Sequence, residues 1–292
     1  MSVKNYIKRV ARYIFTGIPE QKVYPQVSVL APNKYLQGRS ALITGGTSGI
    51  GFEIAKAFIN AGADVVITGR NIDRVKKACF EINEKVVNKN SIYGMEMDNT
   101  DVSCFSTKIQ EAIDIIPSKK IDILVNNAGV LGAHISNATE AAYDSVLDTN
   151  LKGPFFLSQH MGHYFKNNGI HGNILNIASS SSLRPAASGY TVSKWGIRGL
   201  TVGLAKTFAP FGVVVNGLAP GQTATPMLLS EKNGNDLASP KVPIGRFILP
   251  EEIANMAVIL VSNMGRSIMG DIVYMTGGAG VFSNDDMDYS FR

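Results

Sequence analysis

The chain has 292 residues, 45% of them hydrophobic and 17% charged, a balance that fits one α/β domain or two small ones and excludes a disordered or fibrous protein. Its formal charge of +5 is spread along the sequence without a Lys/Arg-rich run, so no nucleic-acid partner is expected. Two cysteines, Cys79 and Cys104, are too few for a disulfide framework and lack zinc-ligand spacing, and no apolar run nears the roughly 20 residues that cross a bilayer.

In chain order, "VKNYIKRVARYIF" comes first. Lys4, Lys8 and Arg12 recur every four residues while Ile7, Val10 and Ile14 line another face, which predicts a basic amphipathic helix. Charge interrupts its apolar part, unlike a secretory leader. An arm packed on the domain or on a partner subunit, a membrane-surface helix and an organellar presequence all stay open for it. Residues 18–38 carry three prolines and read as a linker, so 1–37 are assigned to arm and linker.

From Arg39 onward, short β-branched runs alternate with longer helical patterns. "ALIT" (41–44), "DVVIT" (64–68), "IDILV" (121–125), "NILNIA" (173–178), "GVVVN" (212–216) and "DIVYM" (271–275) suit parallel strands buried on both faces. "SIYGMEM" (91–97) is a weaker seventh. Segments such as "GFEIAKAFINAG" and "EAAYDSVLDTNLKGPFFLSQHMGHYF" have apolar residues at helical spacing. The alternation predicts one Rossmann-like, doubly wound α/β domain of about seven parallel strands over 38–281, with a tail at 282–292.

Three stretches suggest chemistry. The first strand ends in "TGGTSGIG", where Gly45, Gly49 and Gly51 permit a tight turn, close approach to a pyrophosphate and close helix packing. The helix that follows offers unpaired N–H groups to phosphate. The second strand ends "VVITGRN", with Gly69 and Arg70 where NAD sites usually place an acid for the ribose 2′-OH. A guanidinium there suits a 2′-phosphate, so NADP(H) is expected over NAD(H). In "YTVSK", Tyr190 and Lys194 share a helix face, so the ammonium would pull the phenol pKa down towards working pH for general acid–base catalysis.

"TGGTSGIG", "NNAG" (126–129), "TNLKG" (149–153), "YTVSK" (190–194) and "APGQTAT" (219–225) together resemble the short-chain dehydrogenase/reductase family. The likeness is to its shorter, single-domain form, which includes 3-oxoacyl carrier-protein reductases and hydroxysteroid dehydrogenases. The resemblance implies that Tyr190 protonates the substrate oxygen. Lys194 would tune that tyrosine and hydrogen-bond the nicotinamide ribose, and Asn150 would hold a water linking the lysine to solvent. Gly45, Thr47, Ser48, Gly49, Ile50 and Gly51 would wrap the pyrophosphate and adenosine end. Asp98 and Asn99 would flank the adenine, and Asn127, Ala128 and Gly129 would line the adenosine side and brace the central strand. Pro220, Gly221, Thr223 and Thr225 would meet the nicotinamide end.

The family's serine follows its fifth strand and stabilises the substrate oxygen, which selects Ser179 after "NILNIA". The usual spacing of thirteen back from Tyr190 would instead reach Ile177, which has no hydroxyl. Strand position fixes a side chain in space whereas loop length varies, so a loop shortened by two residues is inferred, with Ser180 and Ser181 as fallbacks. Arg184, in that loop, reads as a solvated cation, with contact to an anionic substrate group as the alternative. His160 and His163 read as helix-surface or subunit-interface residues rather than metal ligands. Residues 224–246, with Met227, Leu228 and Leu229, fall in the family's variable substrate lid.

The expected protein is a metal-free, NADPH-dependent carbonyl reductase, reversible as an alcohol dehydrogenase. Its substrate would be a small-molecule ketone or secondary alcohol. The alternatives are a non-catalytic NADP(H)-binding sensor or scaffold, and an epimerase or dehydratase of the family's longer form. A homodimer or homotetramer is implied by the resemblance, and a cytoplasmic location is expected, with membrane-peripheral or organellar placement as the arm's alternatives.

Overall fold

The computed structural model describes residues 34–87, 91–229 and 237–280. Nearly all of the arm and linker, the lid residues 230–236 and the C-terminal tail lie outside the described residues. All seven expected strands form: β1 (Ser40–Ile43), β2 (Asp64–Gly69), β3 (Ile92–Glu96), β4 (Ile123–Asn126), β5 (Asn173–Ile177), β6 (Val214–Pro220) and β7 (Ile272–Met275). They alternate with helices α1 (Gly49–Asn60), α2 (Ile72–Lys85), α3 (Phe105–Ile115), α4 (Glu140–Leu147), α5 (Gly153–Asn167), α6 (Gly189–Phe208) and α7 (Pro250–Val261).

The sheet is parallel throughout, in the order β3-β2-β1-β4-β5-β6-β7. Every residue of β1, β4, β5 and β6 is buried, because helices cover both faces. Ile43, Ile67, Val125, Leu175 and Leu218 pack under α1, α2 and α7, with Phe58, Val75 and Val258. Leu42, Val66, Leu124, Ile174 and Val215 point to the other layer, against Phe105, Leu157 and Ala205 of α3, α5 and α6. Burying a side chain such as Phe58 or Phe105 stabilises the fold by about 1.5–3 kcal/mol each. β7 departs from the expected two-sided burial: its four residues are half-buried, since it pairs only with β6 at the sheet edge.

Two boundaries differ from the sequence reading in ways that shape the site. β6 continues past Asn216 to Pro220, where a glycine and a proline argue for a stop. Pairing with β5 and β7 carries it on, and Gly217 admits the close approach, since a Cβ there would sit 2.4 Å from Ile272 Cδ1. The helical pattern over 140–165 is interrupted by a five-residue π-helical turn, Asp148–Lys152, between α4 and α5. Pro154 explains the break, because it has no N–H for the carbonyl of Asn150, its α-helical acceptor four residues back.

The N-terminal edge of the sheet is tied by polar side chains. Arg39 Nε donates to Asp122 Oδ1 at 2.8 Å and its Nη2 donates to Asn173 Oδ1 at 2.9 Å, joining β1, β4 and β5. At the opposite edge the chain runs outward from β1 through β2 and β3, then returns to β4 on β1's other side. That reversal opens a crevice at the carboxyl ends of the strands.

Candidate active site

All of the sequence-predicted site residues except Gly51 and Asn150 line one cleft of about 1180 Å³ at this crevice. Its first wall is the turn after β1. Gly45 has φ +66°, and a Cβ on it would lie 2.8 Å from Ala128 Cα, so glycine is required by both conformation and proximity. Thr44 Oγ1 accepts the backbone N–H groups of Asn127 and Ala128, both at 3.0 Å. Asn127 Nδ2 donates back to the carbonyls of Thr44 and Gly45, both at 2.9 Å. Gly51 lies behind this wall, where a Cβ would fall 2.4 Å from Asn127 Nδ2 and 2.6 Å from the Gly45 carbonyl. α1 starts at Gly49, and its N-cap Ser48 makes no side-chain cap bond among the described residues. The orphan N–H groups of its first turn and the positive end of its dipole are thus left for an anion.

The β2 edge carries two cations. Gly69 ends the strand, and a Cβ on it would meet Thr47 Cγ2 at 2.9 Å, so the glycine-rich turn fills the space of a side chain there. Arg70 follows. Asn71 caps α2 by accepting the Arg74 N–H at 2.9 Å, which sets Arg74 on the helix's first turn, and both arginines line the cleft. Neither forms an ion pair among the described residues. At the end of β3, Asp98 Oδ1 accepts the Thr100 N–H and hydroxyl, both at 2.9 Å. Asn99 Nδ2 donates to the Thr149 carbonyl at 2.8 Å, while its buried Oδ1 has no partner among the described residues.

The centre is built from the β5 loop and α6. Ser179 leaves β5 extended and caps the 3₁₀ turn Ser180–Leu183, its Oγ accepting the Ser181 N–H at 3.1 Å. Ser182 is fully buried. Its hydroxyl donates to the Ser179 carbonyl at 2.8 Å and pairs with the Tyr274 hydroxyl of β7 at 3.1 Å. Tyr190 stands on the first turn of α6, whose N-cap Ser188 accepts the Thr191 N–H at 3.2 Å. Burial raises the Tyr190 pKa above its ordinary value, opposed by a hydrogen bond with Ser179 that lowers it. Lys194 lies one turn on, its Nζ 5.7 Å from the Tyr190 ring centroid and donating to the Ile177 carbonyl at 2.8 Å. Burial pushes the lysine down to about 8. The forces on the phenol therefore differ from the sequence expectation: burial and Ser179 act on it, and Lys194 is itself shifted towards its neutral form by desolvation.

Asn150 sits in the π-turn with its side chain committed. Oδ1 accepts the Val130 N–H at 2.8 Å, and Nδ2 donates to the Val130 carbonyl at 2.9 Å and to Ser193 Oγ at 3.2 Å. It binds the loop after β4 to α6, so holding a water would fall to its backbone carbonyl rather than its amide. The last wall is the segment after β6. Thr223 pairs with Ile248, and Thr225 Cγ2 would touch a Cβ on Gly49 at 3.3 Å. Arg246 grips Glu252 with two hydrogen bonds of 2.8 Å, fixing the far root of that segment to α7. Met227 and Leu228 give the wall an apolar surface.

Sequence reasoning missed Arg74, Gln222 and Phe247 in the cleft lining, and Ser182 and Tyr274 behind the serine turn. Arg74 was findable, because Asn71 is a strong cap residue and Arg74 is N3 of the helix it starts. Ser182 and Tyr274 are 92 residues apart, and no local pattern links them. No group of three or more potential metal ligands occurs among the described residues, and His160 packs edge-on to Phe105.

A glycine-rich turn, an uncapped helix end and a serine and tyrosine gathered with a buried lysine in one cleft define a dinucleotide-type oxidoreductase site on a doubly wound sheet. Residues 39–236 match the short chain dehydrogenase family, and the chain belongs to that family of oxidoreductases. It is 34% identical over 249 residues to the 3-oxoacyl-[acyl-carrier-protein] reductase FabG of Aquifex aeolicus, covering 83% of this chain and 98% of that protein. It is 33% identical over 254 residues to a 3alpha-hydroxysteroid dehydrogenase of Mediterraneibacter gnavus, covering 84% and 98%. Among solved structures, the 3-ketoacyl-(acyl-carrier-protein) reductase from Brucella melitensis complexed with NADH has a TM-score of 0.75 and 28% identity, covering 84% of this chain and 99% of that one.

Proposed function

We propose that the protein is an NADPH-dependent carbonyl reductase, reversible as an alcohol dehydrogenase, with residues 38–281 as its catalytic domain. The observation that carries this reading is that Ser179, Tyr190 and Lys194 line the same cleft as the glycine-rich turn, with Lys194 Nζ 5.7 Å from the Tyr190 ring centroid.

The residues present fit a phosphorylated dinucleotide. The uncapped first turn of α1, with Thr47, Ser48, Gly49 and Ile50, would hold the pyrophosphate. Arg70 and Arg74 would hold the 2′-phosphate, and Gly69, pressed against Thr47, supports this choice because an acid's side chain has no room there. Asp98, Asn99 and Ala128 would border the adenosine, with Gly129, Pro220, Gly221, Thr223 and Thr225 towards the nicotinamide. When bound, the cofactor supplies a hydride to the carbonyl carbon.

The chain's own groups do the rest. Tyr190 delivers its hydroxyl proton to the substrate oxygen. Its raised pKa keeps it protonated at neutral pH, as an acid must be. Ser179 supplies a hydrogen bond to the same oxygen as negative charge develops there, the logic of an oxyanion hole. Lys194 contributes positive charge behind the phenol, and its lowered pKa makes it a ready proton donor to the phenolate. Asn150 positions this group by tying Val130 to Ser193 on α6.

A homodimer or homotetramer is supported by the exposed apolar side chains Phe155, Trp195 and Val202 along α5 and α6, and a cytoplasmic setting fits a chain without a membrane-spanning helix among the described residues. The test of function is Tyr190→Phe. NADPH binding should persist while ketone reduction falls at least about 100-fold, the minimum usual for general acid catalysis. Retention of more than about a tenth of the rate would remove Tyr190 from the mechanism.

A further inference from the structure

The cleft's charges are unevenly placed. Among the described residues that line it, the cations are Arg70 and Arg74 beside β2, Lys194 behind the phenol, and Arg184 on the loop after β5. The one acid among them is Asp98, already engaged by Thr100. β2 and β5 are three strand spacings apart, about 14 Å at the usual separation, so Arg184 stands across the cleft from the pair that suits a 2′-phosphate.

Its backbone is held on three sides. The Arg184 N–H donates to the Ser181 carbonyl at 3.2 Å, closing the serine turn. The Trp195 indole donates to the Arg184 carbonyl at 2.8 Å from the second turn of α6. Pro185 confines it to the extended φ −107°, ψ 156° that it adopts. The same short loop is sewn to the segment after β4 by the Ile135 N–H donating to the Ala187 carbonyl at 2.8 Å. A fixed stem thus presents a guanidinium that has no ion pair or hydrogen bond among the described residues. The only acid among the described lining residues, Asp98, is engaged by Thr100 and offers it no counter-charge.

We propose that Arg184 is a specificity-determining residue that binds a carboxylate on the substrate, making the preferred substrates oxo acids and the corresponding hydroxy acids. The planar fork of one guanidinium matches one carboxylate through two parallel hydrogen bonds. A phosphate dianion is the better match for the paired arginines at the other end. The inference rests on the reductase reading above, and its test separates the two.

Oxo acids with the carbonyl one to four carbons from the carboxylate are compared with their methyl esters, using the full-length protein and saturating NADPH. At least one acid should exceed its ester in kcat/KM by about tenfold, the worth of a charge-assisted pair. Arg184→Gln should collapse that ratio through KM, Arg184→Lys should restore part of it, and added salt should erode it for the acid alone. An unchanged ratio in Arg184→Gln, or no acid preferred over its ester, overturns the proposal. Trp195 is the chain's single tryptophan and touches Arg184, so its fluorescence reports binding without turnover. With NADP⁺ bound, the acids should give a saturable change that the esters do not, lost in Arg184→Gln. Should neither acids nor esters oxidise NADPH, the reductase reading fails while this titration still decides Arg184.

Discussion

Replacing Lys194 by methionine removes a buried ammonium while keeping an unbranched side chain of similar length. Burial lowers the lysine from 10.5 to about 8, and at 1.36 kcal/mol per unit that shift is about 3 kcal/mol of destabilisation carried by the charged form. Methionine also gives up the 2.8 Å bond to the Ile177 carbonyl, a loss of about 1–3 kcal/mol. The variant should therefore be more stable than the parent at pH 7, by up to about 2 kcal/mol, while losing turnover. The sign with pH follows from the lowered folded-state value. Between pH 8 and 10.5 the unfolded chain binds more protons than the folded one at this site, so the parent's stability rises with pH there. Below pH 8 the penalty is present in full. Urea unfolding of both proteins at pH 7, 8, 9 and 10, followed by circular dichroism, reads the difference directly and cancels the other titrating groups. The variant's advantage should shrink steadily across that series and reverse by pH 10. A difference that stays constant, or a variant weaker than the parent by more than about 3 kcal/mol at pH 7, would refute the assignment of a desolvated charge to Lys194.

Two further outcomes bear on the cofactor and the serine turn. Arg70→Gln combined with Arg74→Gln should weaken NADPH about tenfold or more by calorimetry, each charge-assisted phosphate contact being worth about 1.5–3 kcal/mol in favourable settings and less where exposed, and should leave NADH little changed. Equal weakening of both cofactors would sink the 2′-phosphate assignment. Ser179→Ala should cut kcat about 100-fold, as loss of one oxyanion-type donor does, whereas Ser180→Ala and Ser181→Ala should stay within a few-fold. A larger effect at Ser180 or Ser181 than at Ser179 would move the role along the turn.

The strands were legible because β-branched runs buried on both faces leave a strong local pattern, and the helices because apolar spacing repeats along them. The π-turn was not, since the apolar spacing over 140–165 is continuous and only Pro154 marks the interruption. Strand register chose Ser179 over the residue that spacing would reach. Ser179 lines the cleft with Tyr190 and is the side chain that acts to lower the phenol's pKa. The neighbouring serines build the turn. Ser181 lends its N–H to Ser179, and Ser182 locks the turn to Tyr274 of β7.

Gly51, Asn127 and Asn150 show what motif reading compresses. Gly51 and Asn150 were grouped with residues that meet cofactor or substrate, yet they lie outside the cleft lining, while Asn127 lines the cleft and braces the turn beside it. Asn127 Nδ2 holds the Gly45 carbonyl across 82 residues of chain, and that same nitrogen would lie 2.4 Å from any Cβ on Gly51. "TGGTSGIG" and "NNAG" are therefore one packing constraint written twice. The glycine is needed where it is because the asparagine occupies the space. Asn150 repeats the arrangement between the loop after β4 and α6. The groups proposed to touch substrate are few, and their positions are set by the amides of Asn127, in the cleft wall, and of Asn150, behind it.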